Sequence, residues 1–406
     1  MLAGCIHPVS CKAALRKVEF DVLYTSNLSA SRLYAMKKPY IPQTLPLATI
    51  SWEPLIPLIG KANRALAHYD GVLYGVPDPE VLLSPLTTQE AVLSSKIEGT
   101  QATLGDVLKF EAGEEPQQES RLLDIQEIGN YRQALRAAVV ELETRPFNLN
   151  LLLTLHAILL DSVRGRDKGR GRFRTVQNWI GIDATSMDQA AFIPPEPTLL
   201  PALLDNWEKY YHAEDRDPLV QLAIVHAQFE IIHPFVDGNG RLGRILIPLY
   251  LYEHKVLRQP MFYLSGYLDS HRDEYIQRLR ALSQEPAAWN AWISFFLTAL
   301  IEQARENADK ARAVMDLYER LKVRILELTH SQYAVPMLDA LFARPILRSS
   351  DFESQPGMPS KQMIMSMIGK LKQDSILKVV REGSGRRAQV LALAELINLC
   401  EGRTAI

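Results

Sequence analysis

Apolar residues spaced three and four apart over long stretches, few β-leaning runs, and a change of pattern beyond residue 330 predict a mainly α fold. The helical stretches supply a core. One pair of short β-leaning runs, 175–181 and 191–194, reads as a hairpin. A second pair, 376–381 and 388–393, comes after three helix-compatible segments, which is the order of a C-terminal winged-helix domain.

At 406 residues the chain is long enough for two or three domains, each with its own core. The pattern divides it into an N-terminal extension (1–35), an N-terminal helical region (36–120), a core (121–305), and a linker helix with the winged-helix domain (306–406). A hydrophobic share of 47% and a charged share of 23% are those of a soluble globular protein. Net charge is −2, so no global field recruits nucleic acid or membrane, and any such affinity must come from a local patch. Cys5, Cys11 and Cys400 have neither zinc-ligand spacing nor the numbers of a disulfide framework, which fits a reducing cytoplasm. No apolar run approaches the roughly 18 residues of a membrane span. His7, Ser10 and Lys12 break the apolar first residues, so no signal peptide is expected.

Prolines recur through 39–57, which suits an extended wrapping arm. A helix over 57–69 places Leu58, Ala62, Leu66 and Ala67 on one face, and Gly71, Gly75, Pro77 and Pro79 then break the chain. The next helix, 87–97, ends at Glu98 with Gly99 as the glycine past its end. Residues 103–119 are charged, and Gly113 with Pro116 suggests a loop. Leu123, Ile128, Tyr131, Leu135, Ala138 and Leu142 give 121–143 a helical period; 149–163 comes next as a helix whose His156 reads as a packed core residue. The run 168–174 is rich in glycine and arginine but lacks the Lys-Ser/Thr of a phosphate-binding P-loop. In the helix over 218–232, His226 lies two turns from His233, yet no third ligand stands at zinc spacing. His226 and Glu230 therefore read as residues packing near the adjoining loop. Helices over 269–283 and 287–305 come next, then a charged helix over 305–329 that connects domains, with Ala308, Ala311, Met315, Tyr318, Leu321 and Ile325 at heptad-like spacing.

The C-terminal segment offers short helices over 336–343 and 347–353 and a longer one over 360–374 with Ser360 near its N-cap. Between residues 361 and 387 seven Lys or Arg stand against two acids, Asp374 and Glu382. Lys361 on the recognition helix, with Arg386 and Arg387 in the wing, are candidate contacts to DNA phosphates; recruitment of a protein explains the module equally well.

The stretch that carries chemistry is His233-Pro-Phe-Val-Asp237-Gly238-Asn239-Gly240-Arg241-Leu242-Gly243-Arg244. Pro234 stops one helix, and Gly238 and Gly240 permit a tight turn into the next. A glycine-containing turn that opens a helix aims several unpaired N–H groups one way, and with the helix dipole they make an anion site. Arg241 and Arg244, three apart, emerge beside it. Turn chemistry alone accounts for the glycines and Asn239, but not for His233 with two arginines and no excess of carboxylates.

This stretch resembles the signature of the Fic family, H-P-F-x-D/E-G-N-G-R-x-x-R, at every fixed position, and Gly129-Asn-Tyr-Arg-Gln-Ala-Leu also looks like that family's core. The resemblance implies a Fic-type helical core and an ATP-dependent transferase that moves AMP onto a Tyr, Thr or Ser hydroxyl of a protein, releasing pyrophosphate. It implies His233 as general base, Asp237 as ligand of Mg²⁺, and Gly238, Asn239, Gly240, Leu242 and Gly243 as parts of the phosphate cradle. Arg241 would meet the β-phosphate and Arg244 the γ-phosphate. Gly240 stands where the kinase-like Doc branch usually has lysine, which favours adenylylation. Ser94-Ser-Lys-Ile-Glu98-Gly99 resembles the family's inhibitory motif, in which the glutamate pairs with the second signature arginine and displaces the γ-phosphate. The hairpin would serve as a flap that pins an extended target segment by strand addition along Ala191, Phe192 and Ile193. A second tyrosine expected to touch nucleotide is replaced at Tyr275-Ile276. Expected partners are ATP, a protein with a hydroxyl side chain (the chain itself included), DNA through the winged helix, and a second copy as homodimer. Two other readings compete: an AMP-removing hydrolase in which Glu98 positions water, and a nucleic-acid regulator with a nucleotide-sensing core.

Overall fold

The computed structural model describes residues 38–162, 168–181, 189–355, 357–385 and 387–406; the expected extension 1–35 lies outside them. Lys38–Ile406 form one compact unit. The proline-rich arm is extended as expected, and the Asn206 side chain pairs with both the N–H (2.8 Å) and the carbonyl (2.9 Å) of Leu45. The first helix, α1 (Ile56–Tyr74), runs through Gly71, where a break was expected. An interior glycine costs about 1 kcal/mol, whereas each buried Leu or aromatic contributes about 1.5–3 kcal/mol. Leu66, Tyr69 and Leu73 are buried, so packing wins.

A short helix, α2 (Pro79–Leu82), leads into α3 (Ser84–Ile97), capped by Glu98 with Gly99 at φ 108° beyond it. The expected loop after it contains a helix, α4 (Leu104–Glu111). Thr103 and Asp106 close a capping box there, a Thr-x-x-Asp signal that was present in the sequence. Next come α5 (Glu119–Leu142) and α6 (Leu149–Leu159), the latter capped by Asn148 and shorter than expected. A helix with no counterpart in the sequence reading, α7 (Leu200–His212), precedes α8 (Pro218–Ile232) and α9 (Asn239–Glu253).

The segment 269–283 proves to be the end of one helix and the whole of another, α10 (Ser265–Ser270) and α11 (Arg272–Ala281), which meet at His271. Helix α12 (Ala288–Thr329) is continuous for 42 residues, so the expected boundary at 305/306 falls inside it. Trp289, Trp292, Ile293 and Phe296 are buried at one end and Leu321 and Ile325 at the other, which makes it a spine shared by both parts of the unit. The C-terminal module runs α13 (Ala334–Ala343), β1 (Ile346–Arg348), a 3₁₀ turn at Ser349–Phe352, α14 (Lys361–Gln373), β2 (Lys378–Arg381), β3 (Val390–Ala392) and α15 (Ala394–Glu401). The expected helix over 347–353 is thus a strand end and a 3₁₀ turn. The antiparallel sheet has the order β1-β3-β2, with Ala392 opposite both Ile346 and Lys378. Among the described residues no helix is long and apolar enough to cross a membrane.

Because Thr103 supplies the α4 cap through its hydroxyl, Thr103→Ala should cost about 1 kcal/mol of stability, read as a lower midpoint in denaturant at unchanged slope.

Candidate active site

Helix α8 is apolar around its circumference and buried along nearly its whole length, so it crosses the core and delivers its C-terminus to an inner cavity. It stops at His233, which takes the left-handed conformation (φ 49°, ψ 60°). A non-glycine residue held there costs of order 1 kcal/mol or more, so its surroundings must hold it. Gly238, at φ 81°, starts α9. Asn239 closes the turn from within, accepting from Phe235 N and donating to Phe235 O, both at 2.9 Å. Both ends of its amide thus pair with the loop's own backbone.

His233 Nδ1 faces the Glu230 carbonyl at 3.3 Å. A carbonyl only accepts, so Nδ1 carries the proton and Nε2 presents its lone pair. Burial pushes the imidazole down to about 4, which leaves it neutral at pH 7, the form a general base needs. His233 shares a cavity of about 330 Å³ with Glu98, Glu230, Gly240, Arg244 and Tyr275. Ile180, Phe192, Ile276 and Leu279 make its other end apolar.

Arg244 is 2% exposed. Its Nη2 donates to Glu98 Oε1 (2.7 Å) and to the Ser94 carbonyl (2.8 Å), and its Nε to Ser94 Oγ (2.8 Å). Burial works against the Glu98 charge, yet the guanidinium beside it holds this carboxylate below its ordinary range. Glu90, Ser94 and Glu98 are four apart on α3 and share one face. Behind the pair, Glu90 accepts from Ser265 N (3.0 Å) and Ser265 Oγ (2.6 Å), and the buried Tyr131 side chain lies beside Ser94 and Glu90.

The glycines of α9 are gaps that carboxylates fill. A Cβ on Gly240 would lie 2.2 Å from Glu98 Oε1, and one on Gly243 would lie 2.3 Å from Glu230 Oε1. Gly243 is therefore covered by Glu230, and Leu242 is fully buried in the core rather than facing solvent. Arg241 donates from Nη1 to Glu127 Oε2 (2.9 Å) on α5, both side chains being largely buried, and its Nη2 lies 3.7 Å from Asp237. Asp237 Oδ1 accepts from Gly238 N (2.6 Å), and its side chain stays 44% exposed.

Two carboxylates escaped the sequence reading, and a histidine that it placed in the core does more than pack. Glu127 and Glu90 looked like ordinary helix carboxylates, since only tertiary contact distinguishes a paired one from a solvated one. His156 is buried as expected, but both ring nitrogens are committed. Gly171 N donates to Nδ1 (3.0 Å), so Nε2 carries the proton and donates to the Asp237 carbonyl (3.0 Å), while the ring stacks on Phe235 at 3.7 Å. The Gly-Arg run thus braces the loop from behind. His226 spends its nitrogens on Gly243 O (3.1 Å) and the Tyr275 hydroxyl (2.9 Å).

The other expected positions lie apart from the cavity's polar end. The flap shows one bridge, Ile180 to Phe192, with 182–188 outside the described residues. Tyr40 N donates to Ile193 O (2.9 Å) and the Tyr40 ring leans on Phe192, so the chain's own arm meets that edge; Ala191 N donates to Ile180 O (2.7 Å). Lys361 and Arg387 line a separate groove of about 1060 Å³ between the C-terminal module and Glu114 and Glu115. Lys361 pairs there with Glu353 (3.1 Å) and Arg381 with Glu114 (2.7 Å); Arg386 lies outside the described residues.

Burial raises both Glu90 and Glu230 to about 7. The folded values exceed the unfolded value of about 4.3, so the protonated carboxyls contribute stability fully present below that value and lost as pH rises through about 7. Glu230→Gln should therefore flatten the fall of the melting temperature between about pH 4 and 7.

Residues 56–140 match the family described as Fic/DOC family N-terminal, and residues 146–251 match the Fic/DOC family. A probable protein adenylyltransferase of Aquifex aeolicus (strain VF5) is 29% identical over 202 residues, 50% of this chain and 56% of that protein. Protein adenylyltransferase Fic of Drosophila melanogaster is 33% identical over 102 residues, 24% of this chain and 18% of that protein. The chain therefore spans little more than half, or much less, of these curated relatives. The crystal structure of a Fic family protein from Desulfovibrio desulfuricans G20 superposes with a TM-score of 0.54 at 20% identity, covering 88% of this chain and 98% of that one. The signature loop, the two matched segments and the shared fold place the chain in the Fic/DOC family.

Proposed function

We propose that the chain is a protein adenylyltransferase held off by its own Glu98. The observation that carries this reading is the grip of Glu98 and Ser94 on Arg244 in the cavity that also contains neutral His233. The curated relatives' names support AMP transfer as the chemistry. In the forward reaction His233 Nε2 takes the proton of a target hydroxyl while its oxygen forms a bond to the α-phosphorus of ATP. The bond from that phosphorus to the bridging oxygen breaks, and pyrophosphate leaves. The amides opening α9 face the phosphates, and the apolar end of the cavity suits adenine. Asp237, one half-exposed carboxylate, fits Mg²⁺ that is held mainly through substrate phosphates. That ion, when bound, supplies neutralising charge at the α- and β-phosphates.

The inhibitory pair is lopsided. Glu98 is 42% exposed, whereas Arg244 keeps two further bonds to Ser94. Glu98 can therefore swing away and leave a held guanidinium ready for the γ-phosphate. Arg241 would have to leave or share Glu127 to reach the β-phosphate.

In the C-terminal module, the order helix, strand, 3₁₀ turn, helix and hairpin supports a winged helix. Its Lys361 and Arg381 are already paired with acids, which favours a protein contact over DNA.

Incubation with labelled ATP and Mg²⁺ tests the proposal. Glu98→Gly should raise self- or target-labelling about tenfold or more, since a charged hydrogen bond worth about 1.5–3 kcal/mol no longer competes with phosphate. His233→Ala in that background should lower it about 10²–10⁴-fold. Equal labelling by Glu98→Gly and the parent chain would remove the inhibitory role, and undiminished labelling by His233→Ala would remove the base.

A further inference from the structure

Arg174 ends the glycine- and arginine-rich run that lacks the Lys-Ser/Thr of a phosphate loop, and it takes no part in the cavity's chemistry. It is 3% exposed. A guanidinium so deeply buried must be satisfied by acceptors, or it would cost several kcal/mol. Its hydrogen bonds among the described residues run to carbonyl oxygens. Nε donates to His233 O (2.9 Å), Nη2 to Pro195 O (2.5 Å) and Ile232 O (3.4 Å), and Nη1 to Val176 O (3.4 Å); its backbone N–H donates to Pro234 O (2.9 Å).

These acceptors belong to two structures. Ile232, His233 and Pro234 are the end of α8 and the start of the signature loop, where the last carbonyls of a helix lack intrahelical donors. A cation there also meets the negative end of the helix dipole. His233 is the left-handed cap of that helix, a conformation that persists only where neighbours impose it. Val176 and Pro195 stand at the bases of the two flap legs, outside the Ile180–Phe192 bridge. Two amides sew the same seam more weakly: Asn178 Nδ2 donates to Phe235 O (3.1 Å) and Gln177 Nε2 to Pro194 O (2.9 Å).

We propose that Arg174 is a positioning residue whose planar fork bolts the His233 backbone to both legs of the flap, so that the base and the target-docking edge are held as one body. Only a guanidinium serves. Its donors diverge in one plane toward helix end and flap together, whereas an ammonium group is a point donor on a flexible stem. The consequence is specific: the bolt fixes the target hydroxyl relative to His233 Nε2 and leaves the nucleotide cavity alone. Arg174 is not among the residues lining that cavity.

The inference rests on the transferase reading, so the test has one arm that does not. In the ATP-free full chain, hydrogen–deuterium exchange of Arg174→Met should speed up in the peptides covering 176–180, 191–195 and 233–236 together, and Arg174→Lys should fall between it and the parent. Exchange that rises in only one of the two regions, or in neither, overturns the bolt whatever the activity. In the Glu98→Gly background, Arg174→Lys should lower kcat/KM for the protein target about 10–100-fold, the penalty of roughly an ångström of misplacement, with ATP affinity by equilibrium titration changed less than about threefold. Loss of ATP affinity in step with transfer would make Arg174 a general support of the fold and refute the proposal. If the Glu98→Gly parent transfers no AMP, the functional reading fails, and the exchange arm alone decides the bolt. If Arg174→Met does not fold, Arg174→Lys carries the exchange arm under the same criteria.

Discussion

A guanidinium left only 2% exposed cannot be without acceptors, and meeting that demand at Arg244 organises the site. Ser94 supplies a hydroxyl and a carbonyl, Glu98 a carboxylate, and all come from α3 and its cap. Three residues before it, Arg241 makes the same demand and meets Glu127 of α5. Two arginines on one turn of α9 thereby fasten the signature loop to α3 and α5. The contacts that hold the fold together are the contacts that ATP would have to renegotiate. On the proposed reading, a phosphate and a glutamate are alternative answers to one electrostatic requirement, so an inhibitor would be built into the scaffold at little structural cost.

Close approach is the second constraint. Carboxylate oxygens sit where side chains at Gly240 and Gly243 would begin, so the absence of Cβ on that face of α9 is what lets Glu98 and Glu230 reach the guanidinium's neighbourhood. The loop itself is self-contained. Asn239 staples it through Phe235, His156 grips it at Asp237 and Phe235, and Arg174 grips it at His233. Apart from the stacking of His156 on Phe235, each of these grips ends on the loop's own backbone.

Much of this was legible without coordinates. The span of α8 from Pro218 to the residue before His233-Pro234 was read from local signals, and the structure adds Asp217 as its cap, accepting from Leu219 N and Val220 N. The helix through Gly71, the merged α12 and the split at His271 were not legible, because there packing energies of a few kcal/mol outweigh propensities of about one. Helix α4 was missed although its capping box was in plain view, since the charged composition around it argued for a loop.

The sequence by itself determined the candidate inventory: a histidine, a carboxylate, two arginines and glycine turns in an order whose spacing forces them onto one helix junction. It also offered the regulatory candidate, because Ser94-Ser-Lys-Ile-Glu98-Gly99 resembles the family's inhibitory motif. Only the tertiary structure decided what each side chain does there. It turned Asn239 inward, gave Arg241 a partner in Glu127, and made His156 and Arg174 braces. The physical reason is range. Periodicity and turn chemistry act over a few residues and are written locally, whereas the partner of a buried charge is set by which distant helix the core brings within 3 Å, as α3 is brought to Arg244 across 150 positions.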